Sequence, residues 1–221
     1  MTKILGIDEA GRGAVIGPLV ICGALVDEDE LPELVKIKVK DSKLLTEKQR
    51  DDLAPKIKNI LYKYDIVKIG PHEIDDKRTA GTSLNDIEAE KMASIVNNFK
   101  PDVLYIDAID SDIQTFRARL KKFLRFDPKK MILEHKADVN YPIVSAASIL
   151  AKVERDGDIK ALEEFYGTIG SGYPSDSITV SFLKSWLKEH RKLPNIVRET
   201  WSTAEDLKAK GKQKSLSEFL K

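Results

Sequence analysis

Short apolar segments alternate with amphipathic segments along most of this chain. Five of the apolar segments are rich in Ile, Val, Leu and Tyr and are mostly bounded by Gly, Pro or charged residues, which is typical of β-strands. We predict strands over residues 4–8, 19–26, 62–69, 103–107 and 131–134. A glycine-rich turn joins the first two, which can form an antiparallel hairpin, and helical patterns separate the later ones. The sequence thus predicts an α/β fold in which helices flank a mixed five-stranded sheet.

Capping residues mark the starts of two predicted helices. Thr46 and Gln49 have the spacing of a capping box, and Pro55 is expected to kink or split the helix that follows them. Ser83 is expected to cap a second helix. Further helical patterns cover residues 111–124, a long segment from about residue 141, residues 176–190 and residues 198–210. The lysine-rich, Gly-interrupted stretch after them predicts one domain over residues 1–208 and a flexible tail over residues 209–221.

The overall composition narrows the class of protein. The net charge is only +1, so binding to a polyanion must come from local patches of basic residues. Cys22 lies in an apolar run, which favours a buried, inert thiol. Because it is the single cysteine, no disulfide framework or thiolate zinc site can be built. No segment reaches about 18 consecutive apolar residues, and the first residues do not resemble a signal peptide. We expect a soluble, cytoplasmic monomer.

Carboxylates stand where two predicted strands end. Asp8 and Glu9 close the first strand, Asp107 closes the fourth, and Asp138 precedes the long helix. Because sites in open α/β sheets form at the carboxyl ends of strands, these side chains can converge if the two strands are neighbours. Converging carboxylates raise one another's pKa unless cations are present, and all-oxygen ligation suits Mg²⁺ or Mn²⁺. Two such ions can clamp a phosphodiester during in-line displacement.

Simpler structural roles for these acids stay open. A lone Asp after a strand is often a turn former or helix cap, which applies to Asp107. Asp110 and Asp112 are expected to be surface or capping acids. The chain has no HExxH, GxSxG or phosphate-loop motif, and its histidines are scattered at His72, His135 and His190.

Two glycine-containing loops could contact a ligand. Gly11 and Gly13 flank Arg12, so bare peptide groups and one positive charge could approach a sugar or phosphate, although a hairpin turn also accounts for the glycines. The stretch "GSGYPSD" carries Tyr173, which could stack on a sugar or base or could simply be part of a helix entry. Residues 117–130 and 184–198 are strongly basic, which indicates either solvated helix faces or surfaces that follow a phosphate backbone.

Taken together, the motifs resemble those of one family, type 2 ribonuclease H, or ribonuclease HII, in its archaeal form. The matching stretches occur in the family's order over residues 4 to about 203: "GIDEAGRG", "VKDSKLL", "AGTSLN", "YIDAID", "HKADVNYPIVSAASILAKVERD", "GSGYPSD" and "VRETWST". Ala14 departs from the proline expected after "GRG". Lys152, Arg155 and Asp156 lie in the longest motif, where structural ion pairs account for them at least as well as a substrate role.

The resemblance implies a ribonuclease H-like fold and endonucleolytic cleavage of RNA in RNA–DNA hybrids and at single ribonucleotides embedded in duplex DNA. Two divalent ions, Mg²⁺ or Mn²⁺, would support hydrolysis to a 3′-hydroxyl and a 5′-phosphate. The implied catalytic and metal-binding residues are Asp8, Glu9, Asp107 and Asp138. The implied contacts to substrate are Gly11, Arg12 and Gly13 at the ribose 2′-hydroxyl, Tyr173 on the following deoxyribose, and Lys43 of "DSK" at a phosphate.

The C-terminal tail carries a separate pattern. "QKSLSEFL" resembles a sliding-clamp-binding motif of the form Q-x-x-L-x-x-F-L, with Gln213, Leu216, Phe219 and Leu220 as its contact residues. A terminal turn that folds back on its own domain would give the same pattern. Two further function classes stay open: a phosphoacceptor domain, whose acids are normally closer together in sequence, and a non-catalytic hybrid-binding module, which needs no cluster of acids.

Overall fold

The computed structural model describes residues 1–39 and 45–219, with side chains described for residues 1–39 and 45–210. Its strands are β1 Lys3–Ala10, β2 Leu19–Asp27, β3 Lys63–Ile69, β4 Val103–Asp107 and β5 Lys130–Glu134. Its α-helices are α1 Leu31–Lys36, α2 Glu47–Ile60, α3 Pro71–Thr79, α4 Leu84–Phe99, α5 Ile113–Lys121, α6 Ala137–Asn140, α7 Pro142–Tyr166, α8 Ser177–His190 and α9 Ser202–Phe219. None of the described helices is long and apolar enough to cross a membrane.

The five predicted strands form one mixed sheet, as the sequence predicted. Its strand order is β3-β2-β1-β4-β5. β1 and β2 form the predicted antiparallel hairpin, whereas β1 pairs with β4 and β4 pairs with β5 in parallel. The central strand β1 and its parallel neighbour β4 therefore end at the same edge of the sheet.

The predicted caps are confirmed, and several helix bounds differ from the prediction. Thr46 and Gln49 form a reciprocal capping box at the start of α2, and the hydroxyl of Ser83 accepts the N–H of Asp86 at the start of α4. α2 continues through Pro55 to Ile60, so the helix is not split there. Helix α9 likewise continues past residue 209, where the sequence predicted a boundary.

The chain divides into two compact units, each with its own apolar core. The first unit comprises Met1–Ala10, Val20–Lys68 and Ser83–Glu154, and it contains the sheet. The second comprises Gly11–Leu19, Ile69–Thr82 and Arg155–Lys221, with a core that includes Ile16, Ile169 and Leu183. One catalytic domain over residues 1–208 stays a prediction.

The first unit brings helix and sheet unusually close together. A Cβ built on Gly6 of β1 would lie 2.6 Å from the carbonyl carbon and oxygen of Ile143 in α7. The buried residues Ala146, Ala147 and Ala151 in α7 belong to the core of this unit. Small side chains on both elements allow this approach, which holds the start of α7 against the strand that carries Asp8. Cys22 is buried in the same core, as predicted, and burial raises the pKa of its thiol.

Candidate active site

Three carboxylates converge at the edge of the sheet where β1 and β4 end. Ile7 of β1 and Ile106 of β4 are partners in the parallel ladder, so Asp8 and Asp107 are the next residues along their strands. Asp138 reaches the same place from the short helix α6. Asp8, Asp107 and Asp138 each offer one carboxylate oxygen, and these three oxygens lie within 4.8 Å of one another. We call these residues the Asp triad.

The triad is largely withdrawn from solvent and held by local hydrogen bonds. Asp8 is 5% exposed and Asp138 is 2% exposed, whereas Asp107 is partly exposed. The N–H of Ala137 donates to Oδ1 of Asp107 at 3.2 Å, which ties the start of α6 to the end of β4. The left-handed backbone of Lys136 (φ 60°) precedes this contact and turns the chain into α6.

The electrostatics of the triad favour the binding of a cation. The pKa of Asp8 is raised to about 7, and burial is the largest cause. A hydrogen bond from the side chain of Ser148 lowers it, the charges of Asp107 and Asp138 raise it, and the N–H of Glu9, 2.8 Å from Oδ1, lowers it. A divalent cation would compensate the clustered negative charge. The donor set consists of hard carboxylate oxygens, which fits Mg²⁺ or Mn²⁺ better than a soft metal.

Glu9 lies outside the group of converging oxygens that the described residues form. Both Asp8 and Glu9 belong to β1, and successive side chains of a strand point to opposite faces of the sheet. Of the four acids that the sequence singled out, the structure therefore brings together three. A role for Glu9 in metal binding stays a prediction.

Glu134 also ends a strand beside the triad, but its carboxylate is engaged elsewhere. It is the ladder partner of Asp107. The hydroxyl of Tyr141 donates to its Oε2 at 2.6 Å, and Nδ2 of Asn140 donates to its Oε1 at 3.1 Å. The hydrogen bond to Glu134 raises the pKa of Tyr141. Glu134 thus fixes the junction between α7 and α6, and α6 carries Asp138.

An ion-pair cluster holds the segment that follows Asp107. Nε of Arg119 lies 3.1 Å from Oδ2 of Asp110, and the same guanidinium pairs with Asp86. The side chain of Asp110 is only 10% exposed, so its prediction as a surface or capping acid is wrong. The prediction is confirmed for Asp112, whose carboxylate accepts the N–H groups of Gln114 and Thr115 and caps α5. Arg119, one of the basic residues of 117–130, is therefore engaged in a structural cluster.

In the second unit, the structure joins the two loops that the sequence singled out. Gly11 has a positive φ of 81° and is buried, whereas Gly13 is exposed and Arg12 is partly exposed. The N–H groups of Val15 and Ile16 both donate to the carbonyl of Gly172, at 2.8 and 3.1 Å.

The ring of Tyr173 lies beside the first of these loops. A Cβ built on Gly13 would be 3.9 Å from a ring carbon of Tyr173. Ala14, the departure from the expected proline, is fully buried. The contacts place Gly13 and Tyr173 side by side within this unit.

The remaining predicted residues lie outside what the structure describes. Lys43 and Leu220 belong to residues that are not described, and the side chains of Gln213, Leu216 and Phe219 are likewise not described. Their roles stay predictions.

Comparison with known proteins decides the family. The sequence model described as ribonuclease HII matches residues 5–204. The chain is 46% identical to ribonuclease HII of Pyrococcus abyssi over 223 aligned residues, which cover 99% of this chain and 98% of that protein. The chain belongs to the ribonuclease HII family.

Solved structures agree with this assignment to ribonuclease HII. The crystal structure of ribonuclease H2 from Pyrococcus horikoshii matches with a TM-score of 0.89 and 44% identity, covering 96% of this chain and all of that one. A structure of the PCNA:RNase HII complex from Archaeoglobus fulgidus matches with a TM-score of 0.83 and 40% identity, covering 92% of this chain and 96% of that one. The predicted ribonuclease H-like fold is confirmed.

The family defines the class of reaction. As a ribonuclease HII, the chain is a ribonuclease H, a metal-dependent endonuclease that acts on RNA–DNA hybrids. The buried Asp triad fits the divalent-metal requirement of this family. Sequence reasoning missed Ser148, which lies in the long helical segment predicted from about residue 141 but is given no role there. It also missed Arg119, which it counted among basic surface residues.

Proposed function

We propose that this ribonuclease HII cleaves the RNA strand of RNA–DNA hybrids and also cuts at single ribonucleotides embedded in duplex DNA. The proposed reaction is two-metal phosphodiester hydrolysis that leaves a 3′-hydroxyl and a 5′-phosphate. The observation that carries this proposal is the convergence of three carboxylate oxygens within 4.8 Å in the Asp triad.

Asp8, Asp107 and Asp138 would hold the divalent ions, with Glu9 as a further ligand. When bound, such ions lower the pKa of water and offset negative charge on the attacking and leaving oxygens. Both Mg²⁺ and Mn²⁺ suit these ligands. These acids would remain ionised and in place near the ends of β1 and β4 and in the first turn of α6.

Substrate recognition would fall to residues 11–13, the glycine loop, and residues 170–176, the tyrosine loop. The peptide groups of Gly11 and Gly13 would contact the ribose 2′-hydroxyl, which distinguishes RNA from DNA at a single position. Arg12 would act with them at the same 2′-hydroxyl, Tyr173 would stack on the following deoxyribose, and Lys43 would contact a phosphate. The side-by-side placement of Gly13 and Tyr173 supports this assignment.

We further propose that the tail binds a sliding clamp through Gln213, Leu216, Phe219 and Leu220. The structure from Archaeoglobus fulgidus is a complex between PCNA and a ribonuclease HII that is 40% identical to this chain. The enzyme would then be a monomer tethered to the clamp by residues 209–221.

The test uses purified protein and a DNA duplex that carries one ribonucleotide, with a long RNA–DNA hybrid and an all-DNA duplex beside it. We expect Mg²⁺- or Mn²⁺-dependent nicks in the first two duplexes, no cut in the third, and loss of all activity with EDTA. The ends are identified by ligation and by phosphatase treatment. A non-catalytic binding module would retain the duplexes without cutting them, and that result would overturn the proposal.

A further inference from the structure

Arg155 is a buried arginine that is held mainly by contacts other than an ion pair. It lies in α7 and is 4% exposed, which is rare for arginine. The carboxylate of Asp156 lies 3.8 Å from Nη1, which is too long for a hydrogen bond. Nη2 instead donates to the carbonyl of Ser171 at 2.7 Å. Within the described residues, Nε is buried without a hydrogen-bond partner.

The guanidinium of Arg155 contacts the tyrosine loop on two sides. Its central carbon lies 4.6 Å from the ring centroid of Tyr173, which is within the range of a cation–π interaction. A Cβ built on Gly172 would lie 3.1 Å from Nη2. Together with the hydrogen bond to Ser171, these contacts fix three consecutive residues of the loop against one planar group.

The same side chain also packs against the glycine loop. A Cβ built on Gly11 would lie 2.5 Å from Nε of Arg155 and 2.6 Å from its Cδ. No real Cβ approaches so closely, so the space that glycine leaves at position 11 is filled by Arg155. Glycine at position 11 is therefore favoured for two reasons: its φ is positive, at 81°, and a side chain there would collide with the guanidinium of Arg155.

We propose that Arg155 is a positioning residue that sets the distance between the peptide groups at Gly11 and the ring of Tyr173. The inference rests on the proposed function, in which Gly11 contacts the ribose and Tyr173 stacks on the next sugar. A single embedded ribonucleotide offers only one ribose–deoxyribose junction, so its cleavage depends on both contacts being in register. Lysine cannot replace Arg155, because an ammonium has neither the planar fork nor the stacking face of guanidinium.

The second unit offers a matched control in Arg198. It is also fully buried, and it donates to the carbonyls of Gly17 at 3.1 Å and Arg12 at 3.0 Å. Its guanidinium lies over the ring of Trp201, with 4.9 Å between the central carbon and the ring centroid. Arg198→Lys thus disturbs a buried arginine at the same glycine loop, but one that stacks on Trp201 instead of Tyr173.

The test is a double-mutant cycle with Arg155→Lys, Tyr173→Ala and their combination. The kcat/KM is measured on a duplex with one ribonucleotide and on a long hybrid. We expect each single change to lower kcat/KM on the lone ribonucleotide by roughly 10-fold, and the double variant to match Tyr173→Ala within about 2-fold. When Arg198→Lys is combined with Tyr173→Ala, the two fold-losses in kcat/KM should instead multiply. The loss from Arg155→Lys should be smaller on the long hybrid, because a ribose and not a deoxyribose follows most of its cleavage positions and the proposed stacking of Tyr173 is not used there.

A second measurement does not depend on cleavage. Hydrogen exchange of residues 170–176 in the substrate-free protein should be faster by roughly 10-fold in Arg155→Lys and unchanged in Arg198→Lys. Mn²⁺ binding by titration calorimetry should be the same in both.

The outcomes separate the inference from the proposed function. Wild-type protein that cuts neither ribose-containing duplex would overturn the proposed function, whereas the exchange experiment would still test the contacts of Arg155. An active wild type in which the Arg155 and Tyr173 losses multiply would overturn the inference. If Arg155→Lys and Arg155→Gln both fail to fold while Arg198→Lys folds, Arg155 serves stability and the inference is also wrong.

Discussion

The side chain of Ser148 hydrogen-bonds to the carboxylate of Asp8, and this contact is the largest of the interactions that lower the pKa of Asp8. Ser148 is fully buried in α7. It therefore opposes the effect of burial, and the pKa of the carboxylate is nevertheless raised to about 7. Without Ser148, a greater fraction of Asp8 would be protonated and unable to bind a metal ion at neutral pH.

Ser148→Ala should move the pH dependence of metal binding and activity to higher pH by roughly one pH unit, because the lost hydrogen bond stabilises the ionised carboxylate. Mn²⁺ affinity measured across neutral pH, together with pH–rate profiles, checks this. Ser145→Ala is the matched control, since Ser145 is buried in the same helix but donates to the carbonyl of Val39. A profile that is equal for both variants would assign no electrostatic role to Ser148.

Asp8→Asn should reduce cleavage by roughly 100-fold or more, because it removes a charged ligand from the Asp triad. Mn²⁺ titration should show a correspondingly weaker site, while circular dichroism should show an unchanged fold. Asp112→Asn is a suitable control, since Asp112 caps α5 and is not one of the Asp triad. Full activity in Asp8→Asn would remove Asp8 from the metal site.

Asp8→Asn should weaken metal binding, but it should stabilise the metal-free protein. The ordinary pKa of Asp is 3.8, and the folded protein raises that of Asp8 to about 7. The folded state therefore holds this proton more tightly than the unfolded state, and the resulting stabilisation is complete below about pH 4 and lost as pH rises through about 7. In EDTA, Asp8→Asn should raise the Tm by roughly 5 °C near pH 8 and by much less near pH 4. Equal shifts at the two pH values would contradict the raised pKa.

Deletion of residues 213–221 should abolish retention by a sliding clamp and leave cleavage of a short duplex unchanged. The proposed contact residues are confined to this segment, and the Asp triad lies in the other unit. A clamp pull-down with full-length and shortened protein measures the first effect, and a nicking assay without clamp measures the second. Clamp binding that survives the deletion would show that other residues make the contact.

The sequence predicted the strands and their acidic ends better than it predicted what surrounds them. Asp8 and Asp107 each follow a clear apolar run, so their places at strand ends were evident. The two carboxylates come together only because β4 pairs with β1, and this tertiary contact cannot be predicted from either segment alone. Helices α1 and α3 were not predicted because each buries a single residue, Leu34 or Ile74, and so shows no apolar stripe.

The supporting polar residues could not be predicted for a related reason. Ser148 and Arg155 lie on one long helix. For Ser148 the sequence indicates no partner, and for Arg155 it indicates only a structural ion pair or a substrate role. Which carboxylate lies opposite Ser148, and which loop lies over Arg155, depends on segments more than a hundred residues away in the chain for Asp8 and Gly11. Arg119 likewise belongs to a basic run in the sequence, and only the fold places Asp86 and Asp110 beside it.

Gly6→Ala should destabilise the protein, because a Cβ at this position would lie 2.6 Å from two backbone atoms of Ile143 and 2.7 Å from the backbone nitrogen of Val144. Backbone atoms cannot rotate away, so α7 must shift from β1 at a cost of roughly 1–3 kcal/mol.

Gly157→Ala, farther along α7, is the control. A Cβ there meets nothing within 4 Å, and alanine is the better helix former by about 1 kcal/mol. Thermal unfolding should therefore shift in opposite directions for the two changes. Because α7 carries Ser148, Gly6→Ala should also weaken Mn²⁺ binding, whereas an unaltered metal site in a destabilised protein would show that the β1–α7 contact serves folding alone.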